Sequence, residues 1–429
     1  VVRYGAIAAP LNSAYTAEEF KFYMEDAEAQ AVIVPFEEHA AKDAARELGI
    51  QVIEVRATKE GSMDLCFDEA PMTRLKDFSF PGEDDVALFL HTSGTTSRPK
   101  GVPLTHKNLI TSLDNIGSTY HLTSDDVAMV VMPLFHVHGL IGVALSTLKT
   151  GGTIVVPPRF SASKFWLDQS AYGATWYSAV PTIHQILLAR AEEDQAPAES
   201  FRFIRSCSSA LAPSVFADLE SRFGAPVLEA YGMTEASHQM SSNPLPPGER
   251  IPGTVGQGTG VEIGTMSDTG TLLASGERGE VVIKGSNVTL GYENNDEANK
   301  VSFTDGWFRT GDEGIIDQQQ YLTLVGRIKE LINRSGEKIS PLEIDDILLG
   351  HPSVAEAVSF GVPHPTYGEE PAACVVLNGD ATSQDLVKYC REHLADFKVP
   401  KNIHIVDEIP KTATGKVQRR FVAAAFIKE

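Results

Sequence analysis

The chain has 429 residues, more than a single compact core usually accommodates, so its length predicts two or three domains. Its formal net charge of -21 disfavours nucleic acid and anionic lipid as partners, because the sequence has no long basic run to offset the repulsion. No stretch approaches the roughly 20 apolar residues that span a bilayer. The four cysteines lie far apart without a CxxC pair, which argues against a zinc site or a disulfide framework and indicates a reducing compartment.

Short β-branched runs alternate with helical patterns over the first half of the chain. "QAVIVP" is followed by "DAARELG" and "IQVIEV", and "ATWYSAV" is followed by "TIHQILLARAEE" and "FRFIRS". Since each pair of parallel strands needs a crossover connection, this alternation predicts parallel sheets covered by helices. The fold class predicted for the large N-terminal domain is therefore α/β.

The pattern changes twice after the Pro-rich segment "NPLPPGERIPG". Gly-punctuated strands such as "GEVVIKGS" and "YLTLVGRI" predict a small antiparallel β subdomain. Beyond Arg327, the helix "SPLEIDDILLGH" and the strands "VAEAVSFGV" and "PAACVVL" predict a small α+β unit. We therefore predict an N-terminal domain over residues 1–326 and a C-terminal domain over residues 327–429. The chain begins inside an apolar pattern, so we expect the N-terminal domain to lack its start.

The segment "TSGTTSRPKGV" follows the apolar run "VALFLH" and precedes a helix whose predicted N-cap is Thr105. Its free backbone N–H groups, hydroxyls and ammonium suit phosphate oxygens. The predicted phosphate loop comprises Thr92, Ser93, Gly94, Thr95, Thr96 and Lys100. A polar surface turn is an equal alternative for this segment alone. It is not a P-loop, because Lys100 is followed by Gly101, and "GQGTGVEIG" does not spell the dinucleotide pattern GxGxxG.

Three further motifs follow, and each is inconclusive alone. "EAYGMTEAS" offers an aromatic face (Tyr231), a hydroxyl (Thr234) and a carboxylate (Glu235), which suit a purine, a phosphate and Mg²⁺. "RTGDEG" adds Asp312, whose carboxylate can accept hydrogen bonds from the two hydroxyls of a ribose. "PKTATGK" ends on Lys416, which taken singly is a solvated charge.

In combination and in this order, "TSGTTSRPKGV", "YGMTE", "TGD", "GRIKELINRSGEKISPLEI" and "PKTATGK" resemble the adenylate-forming (acyl-CoA synthetase, AMP-binding) superfamily. Within it, "APLNSAYTAEEFKFY", "PLFHVHGL" and "YGMTEASHQMSSNPLPP" are similar to the oxalyl-CoA synthetases, which are oxalate–CoA ligases. Ser97 departs from the superfamily pattern, where most members have Gly. The resemblance covers the whole chain and implies an AMP-forming acid–thiol ligase that uses ATP, Mg²⁺ and coenzyme A.

The resemblance also implies a role for each matching residue. Lys416 would bridge the attacking carboxylate and the α-phosphate, with Thr234 on that phosphate, Lys100 in the phosphate loop and Glu235 on Mg²⁺. The C-terminal domain is expected to move between half-reactions about a hinge at Lys329. The other expected nucleotide and coenzyme A contacts are Ser209, Ala210, Tyr231 (adenine), Gly232, Asp312 and Arg327 (ribose), and Gly336 (pantetheine tunnel).

Four polar residues fall where the family places its acyl pocket: His136, His138, Ser208 and His238. An unpaired polar group facing a hydrocarbon chain costs about 1–3 kcal/mol. A second carboxylate instead needs hydrogen-bond donors or a cation, and an imidazole beside an anion gains a proton readily near neutral pH. We therefore predict oxalate as the acid.

Several alternatives stay open at this point. His136 and His138 suit a gate or a packed core equally well, and a medium-chain or aromatic (4-coumarate-like) acyl-CoA ligase is the second hypothesis for the substrate. A non-catalytic adenylate-binding protein is the hypothesis from another class. We expect a cytoplasmic protein because the chain ends "AAFIKE" rather than S-K-L, with the peroxisome as the alternative if a signal is missing from this chain. The sequence does not indicate the oligomeric state.

Overall fold

The structure is a computed structural model, and it describes residues 1–57, 63–67, 70–71, 80–92, 99–192, 194, 196, 201–412 and 417–426. The chain groups into two units, one of residues 1–109 with 289–299 and the other of residues 110–288 with 300–429. The predicted domain boundary between residues 326 and 327 stays a prediction.

The first unit begins with a 3-10 turn, Val2–Tyr4. Its strands are β1 (Ala31–Pro35), β2 (Gln51–Ala57), β3 (Met63–Phe67), β4 (Ala70–Pro71), β5 (Val86–Thr92) and β6 (Lys100–Thr105), and its helices are α1 (Ala17–Asp26) and α2 (Ala40–Leu48). Strands β1 and β2 are parallel, and β3 and β4 extend that sheet in antiparallel orientation. Strands β5 and β6 form a separate antiparallel pair.

The segment between β5 and β6 contains the predicted phosphate loop, and at this point the structure differs from the prediction. We expected the loop to lead directly into a helix, but β6 lies between them. The link of residues 93–99 is too short for a parallel crossover, so the two strands pair in antiparallel orientation. Thr105 caps the following helix as predicted, because its Oγ1 accepts a hydrogen bond from the backbone N–H of Asn108 at 3.1 Å.

The remaining elements follow in chain order. From residue 106 onward the helices are α3 (His106–Thr119), α4 (Val137–Gly139), α5 (Ser146–Lys149), α6 (Ala162–Tyr172), α7 (Pro181–Ala189), α8 (Pro213–Phe223), α9 (Asp296–Ser302), α10 (Pro341–Leu349), α11 (Ser383–His393) and α12 (Arg419–Phe426). The strands are β7 (Val127–Met129), β8 (Thr153–Val155), β9 (Trp176–Ala179), β10 (Phe203–Ser206), β11 (Val227–Met233), β12 (His238–Ser242), β13 (Gln257–Gly258), β14 (Glu262–Met266), β15 (Arg278–Lys284), β16 (Phe303–Thr304), β17 (Trp307–Ile316), β18 (Leu322–Arg327), β19 (Ile332–Arg334), β20 (Glu337–Ile339), β21 (Val354–His364), β22 (Gly368–Leu377) and β23 (Asn402–Ile405). A π-helical segment, Leu140–Leu145, joins α4 to α5, and 3-10 turns cover Thr234–Ala236 and Ile328–Glu330.

The central sheet of the second unit has the strand order β13-β12-β11-β10-β9-β7-β8. Its strands run parallel from β8 to β11, and β12 and β13 add an antiparallel edge. Strands β9 and β10 are buried along their whole length, as expected of a parallel sheet covered on its faces. Phe165 and Trp166 of α6 and Phe223 of α8 belong to the apolar core that also contains Tyr177 and Ile204 of the sheet.

Two smaller sheets complete the second unit. Strands β14, β15, β17, β16 and β18 form the predicted antiparallel subdomain. The C-terminal sheet, β20-β19-β22-β21 with β23 beside β22, is packed on both faces: Ala373 clusters with Ile344 of α10, and Cys374 clusters with Val422 of α12. The predicted α/β fold class, with its antiparallel subdomain and α+β C-terminal part, is confirmed. Within the part of the chain that the structure describes, no helix has the length and apolarity of a membrane span.

Candidate active site

Most of the predicted site residues of the second unit follow the carboxyl ends of parallel strands. His136 and His138 come after β7, Ser208 comes after β10, and Tyr231 lies near the end of β11. Ligands of α/β proteins bind outside the carboxyl ends of the strands, where the helix and loop connections leave a crevice. The topology of the sheet therefore brings these side chains to one edge.

Several predicted residues lie outside the described residues: Ser93, Gly94, Thr95, Thr96 and Lys416, together with the departure at Ser97. Thr92 and Lys100 flank the loop at paired positions of β5 and β6. The ammonium of Lys100 lies 4.3 Å from the centre of the Tyr292 ring, within the same unit. The roles predicted for these residues stay predictions.

Asp312 lies at the centre of a cluster that also contains Tyr231, Thr310 and Arg327, which we call the Asp312 cluster. Asp312 of β17 pairs with Arg327 of β18, and Arg327 Nε lies 2.8 Å from Asp312 Oδ1. The Tyr231 hydroxyl donates to Asp312 Oδ2, and Arg327 Nη1 donates to the carbonyl of Thr310. The charge of Asp312 is the main cause that raises the pKa of Arg327. The structure thus brings together the two residues predicted for a ribose.

The Asp312 carboxylate keeps capacity for further hydrogen bonds. A carboxylate has about four lone-pair sites, of which Tyr231 and Arg327 use one each in the described structure. The remaining sites suit the two vicinal hydroxyls of a ribose. The Tyr231 hydroxyl supports Asp312, a contact that the sequence did not predict. Tyr231 is 8% exposed. The predicted contact of this ring with adenine stays a prediction.

Glu235 and Thr234 lie in the 3-10 turn that follows β11. The Glu235 side chain is buried, and its charge contributes to the raised pKa of Arg327, which places it close to the Asp312 cluster. No group of three or more His, Cys, Asp or Glu side chains that could hold a metal ion occurs among the described residues. Mg²⁺ at nucleotide sites usually takes one or two carboxylates together with phosphate oxygens and water. A single buried carboxylate such as Glu235 fits that requirement.

A fully buried arginine, Arg205 of β10, organises the other half of the site. Its guanidinium donates from Nε to the Tyr120 hydroxyl at 2.8 Å, from Nη1 to Ser178 Oγ at 3.1 Å, and from Nη2 to His238 Nε2 at 3.0 Å and Gln239 Oε1 at 2.9 Å. These partners are all neutral. We refer to Arg205, Tyr120, Ser178, His238 and Gln239 as the Arg205 cluster.

His238 begins β12, directly after the turn that holds Glu235, so one hairpin carries residues of both clusters. Its imidazole fits only because Gly142, in the π-helical segment, has no side chain: a Cβ there would lie 2.3 Å from the ring. His238 has a φ of 94° and Ser208 a φ of 74°, a backbone conformation that residues other than glycine rarely adopt. Such strained residues cluster at functional sites.

His138 extends the Arg205 cluster toward Ser208. The His138 side chain is fully buried, with Nε2 at 2.6 Å from Ser178 Oγ and Nδ1 at 3.0 Å from Ser208 Oγ. Its ring stacks on that of His238 with a centroid distance of 5.3 Å. His136 is the N-cap of α4, where its Nδ1 accepts from the backbone of His138. The structure therefore brings together the four residues predicted for the acid.

The protonation state of the histidines differs from the sequence-based expectation. We expected a charged imidazole to supply the cation, but burial and the charge of Arg205 hold the pKa of both His138 and His238 well below the ordinary value. A buried ring beside a permanent cation does not gain a proton near neutral pH. Arg205 is the positive charge of this pocket, and the imidazoles are neutral.

Sequence reasoning missed Arg205, Tyr120, Ser178 and Gln239. The signal for Arg205 was present, because "FRFIRS" places an arginine inside an apolar run that reads as a buried strand. Charged residues are almost never fully buried without a partner, so such an arginine indicates an anion or a polar network. No such signal exists for Tyr120, which lies 85 positions from its partner.

The other predicted residues lie in turns, except for Gly232, which lies in a strand. Ser209 and Ala210 are exposed after β10, and Gly232 of β11 packs so closely on His238 that a Cβ would lie 2.2 Å from its carbonyl oxygen. Lys329 lies in the 3-10 turn after β18. Gly336 occupies the turn between β19 and β20 with a φ of 91°. The roles predicted for them stay predictions.

Two family models, several curated proteins and several solved structures match this chain. The family model described as "AMP-binding enzyme" matches residues 1–293, and the one described as "AMP-binding enzyme C-terminal domain" matches residues 343–416. The chain is 51% identical to an oxalate–CoA ligase of Arabidopsis thaliana, covering 100% of the chain and 85% of that protein. It is 49% identical to an oxalate–CoA ligase of Saccharomyces cerevisiae, and the match covers 98% of the chain and 82% of that protein. The crystal structure of ATP-bound MatB from Rhodopseudomonas palustris superposes on this chain with a TM-score of 0.88 at 32% sequence identity. The superposition covers 99% of this chain and 84% of the MatB chain.

Proposed function

The chain belongs to the AMP-binding enzyme family, as its motifs predicted, and from this premise we propose that it is an ATP-dependent acid–thiol ligase acting on oxalate. The reaction converts oxalate, ATP and coenzyme A to oxalyl-CoA, AMP and pyrophosphate. ATP is the nucleotide bound by the structurally similar MatB. Two relatives with 51% and 49% sequence identity to this chain are named oxalate–CoA ligases.

The observation that carries the choice of acid is the buried cation of Arg205. Its described partners are neutral, so no carboxylate among the described residues offsets its charge. Leaving a buried charge without a counter-ion costs several kcal/mol. The second carboxylate of a small diacid removes that cost, whereas the apolar tail of a medium-chain or aromatic acid would increase it. The polar cluster therefore favours oxalate over the 4-coumarate-like alternative.

The chemistry proceeds in two transfers. One carboxylate of oxalate attacks the α-phosphorus of ATP, a new C–O–P link forms, and pyrophosphate leaves. The thiol of coenzyme A then attacks the activated carbonyl, a proton is lost from sulfur, and AMP leaves. No covalent enzyme intermediate is required, so catalysis rests on positioning and on the stabilisation of developing charge.

We assign the binding of the ribose, the acid and the metal ion to different described residues. Asp312 and Arg327 hold the ribose, and the Arg205 cluster holds the carboxylate of oxalate that does not react. Glu235 would hold Mg²⁺, which would supply neutralisation of negative charge on the phosphates. The hairpin from Tyr231 to His238 connects the Asp312 cluster to the Arg205 cluster, and we expect it to direct the reacting carboxylate toward the nucleotide.

ATP–pyrophosphate exchange, measured in parallel with oxalate, malonate, hexanoate and 4-coumarate, tests this proposal. We expect oxalate to give the highest kcat/KM. A higher value for hexanoate or 4-coumarate would establish the alternative ligase instead. Nucleotide binding without exchange for any acid would establish the non-catalytic adenylate-binding protein.

A further inference from the structure

The hydrogen bonds of the Arg205 cluster have a fixed direction. A guanidinium has donors and no acceptor, so Arg205 Nη2 donates to His238 Nε2 across 3.0 Å. His238 is neutral and therefore carries its ring proton on Nδ1. That nitrogen has no hydrogen-bond partner among the described residues. The His238 ring thus presents an N–H donor whose acceptor is still to be supplied.

The hydrogen bond from Arg205 to His238 forms one branch of the network. A second branch passes from Arg205 through Ser178, and Arg205 is again the donor. Ser178 is fully buried, and its hydroxyl contacts Arg205 Nη1 and His138 Nε2 among the described residues. Since the oxygen accepts from Arg205, the hydroxyl proton goes to His138 Nε2 at 2.6 Å. The reverse direction would leave a buried O–H without an acceptor. His138 then donates from Nδ1 to Ser208 Oγ across 3.0 Å, which leaves the Ser208 proton available.

Both branches therefore end in a donor, the Nδ1–H of His238 on one and the hydroxyl of Ser208 on the other. We propose that Arg205 is a positioning residue that determines the acid specificity of the site, by holding His238 and Ser208 as hydrogen-bond donors toward the second carboxylate of the substrate. This inference rests on the proposed function, because it assigns a residue to the recognition of a diacid at the same site.

The physical basis is that a neutral imidazole and a hydroxyl can each be donor or acceptor. Without Arg205, His238 is free to move its proton to Nε2, and the Ser178 hydroxyl is free to turn. His238 Nδ1 and the Ser208 oxygen could then each present a lone pair to the substrate, and a lone pair repels a carboxylate. Arg205 removes this ambiguity through its five fixed N–H donors.

The test compares wild type with Arg205→Met in pyrophosphate exchange, using oxalate and oxamate as acids. Oxamate has the size of oxalate, but a neutral amide replaces the second carboxylate. We expect Arg205→Met to raise the KM for oxalate about 100-fold, because two hydrogen bonds to a charged group are weakened by about tenfold each. The KM for oxamate should change far less, and the KM for ATP should stay at the wild-type value.

Two further variants control for folding. Arg202→Met removes an arginine three positions away that pairs with Asp126 at 3.0 Å. Among the described residues, its one hydrogen bond to the Arg205 cluster goes to the backbone carbonyl of Tyr120, at 2.9 Å, and not to the Tyr120 hydroxyl, so this variant should leave the KM for oxalate unchanged. Ser178→Ala removes a single hydroxyl and interrupts only the branch that runs through His138 to Ser208. It should raise the KM for oxalate about tenfold, the effect of one weakened hydrogen bond to a carboxylate. Thermal unfolding of each variant identifies any that does not fold, and Ser178→Ala alone then decides the outcome.

The pH profile separates positioning from a purely structural role. The charged or titratable groups that face His238 are Arg205, His138 and His136. In wild type the imidazole stays neutral, so the KM for oxalate should be flat between about pH 6 and 8. Burial is the larger cause of the low pKa of His238, and the charge of Arg205 is the second. Arg205→Met removes only the second cause, so the pKa of His238 rises and, beside a bound carboxylate, the ring is protonated more readily as the pH falls. The KM of this variant for oxalate should therefore decrease toward low pH.

Two results would overturn the proposal in an enzyme that uses oxalate. One is a wild-type KM for oxalate in folded Arg205→Met and Ser178→Ala. The other is an equal rise of the KM for oxalate and oxamate in Arg205→Met with no change in the pH profile. Failure of wild type itself to exchange pyrophosphate with oxalate would instead overturn the proposed function.

Discussion

Lys416→Ala is expected to abolish adenylation, with a fall of about 1,000-fold in ATP–pyrophosphate exchange. Lys416 lies outside the described residues, and the motif "PKTATGK" assigns it to the attacking carboxylate and the α-phosphate. Its ammonium would neutralise charge that develops only in the first transfer. Formation of the thioester from a supplied acyl-adenylate should therefore continue near the wild-type rate.

Gly336→Leu should show the reverse pattern, because the resemblance places this glycine beside the pantetheine arm of coenzyme A. A leucine there would obstruct the thiol and leave adenylation intact. In the described structure nothing lies within 4 Å of the position of a Cβ, so the side chain has room in this conformation. The left-handed φ costs about 1–3 kcal/mol for a residue other than glycine. Gly336→Ala has the same backbone cost with a small side chain and serves as the matched control.

The two variants together test the expected movement about Lys329. A domain that rotates presents Lys416 in one half-reaction and Gly336 in the other, so each variant should lose a different half-reaction. Loss of the same half-reaction in both variants would show that the hinge hypothesis is wrong, and the ligase assignment would stand on the exchange data alone.

His238→Ala is expected to raise the KM for oxalate by about 10- to 100-fold, the value of one hydrogen bond to a charged group. The change removes the Nδ1–H donor and takes one partner from the fully buried Arg205. An acid with an apolar tail makes no use of this donor. The KM for hexanoate, measured in the same exchange assay, should therefore change little.

His184→Ala is the matched control for this variant. His184 is also fully buried, and its Nδ1 contacts the Tyr177 hydroxyl at 3.1 Å. It lies beside the backbone of Arg205, but among the described residues its side chain makes no hydrogen bond to a side chain of either cluster. The ratio of the KM values for the two acids should stay at the wild-type value. Equal changes for oxalate and hexanoate in His238→Ala would contradict the recognition of a diacid by this histidine.

The parts of the fold that the sequence predicted are those that depend on local pattern. Alternating strand and helix patterns were sufficient for the central sheet, and the change of pattern after "NPLPPGERIPG" was sufficient for the antiparallel subdomain. Strand β6 was missed because "KGVPLT" contains a proline and two polar ends, which read as a loop. Its pairing with β5 depends on the shortness of the intervening link rather than on its own composition.

The site was predictable where a motif carries the residue and unpredictable where packing creates it. Asp312 and Arg327 belong to recognisable motifs and are paired in the structure. Arg205 acquires its role only because Tyr120, Ser178 and Gln239 meet it from distant parts of the chain. The protonation of His238 was wrongly expected for the same reason, since the sequence does not show that an arginine lies 3.0 Å from its ring.

The central claim is that this pocket recognises a second carboxylate, and the kcat/KM of the wild-type enzyme for oxalate and for oxamate tests it most directly. The two acids have the same size and differ in one charge. Two hydrogen bonds to a charged group, worth about 1.5 kcal/mol each, predict a preference for oxalate of about 100-fold or more. Values within about threefold of each other, an energy difference below about 1 kcal/mol, would contradict the account.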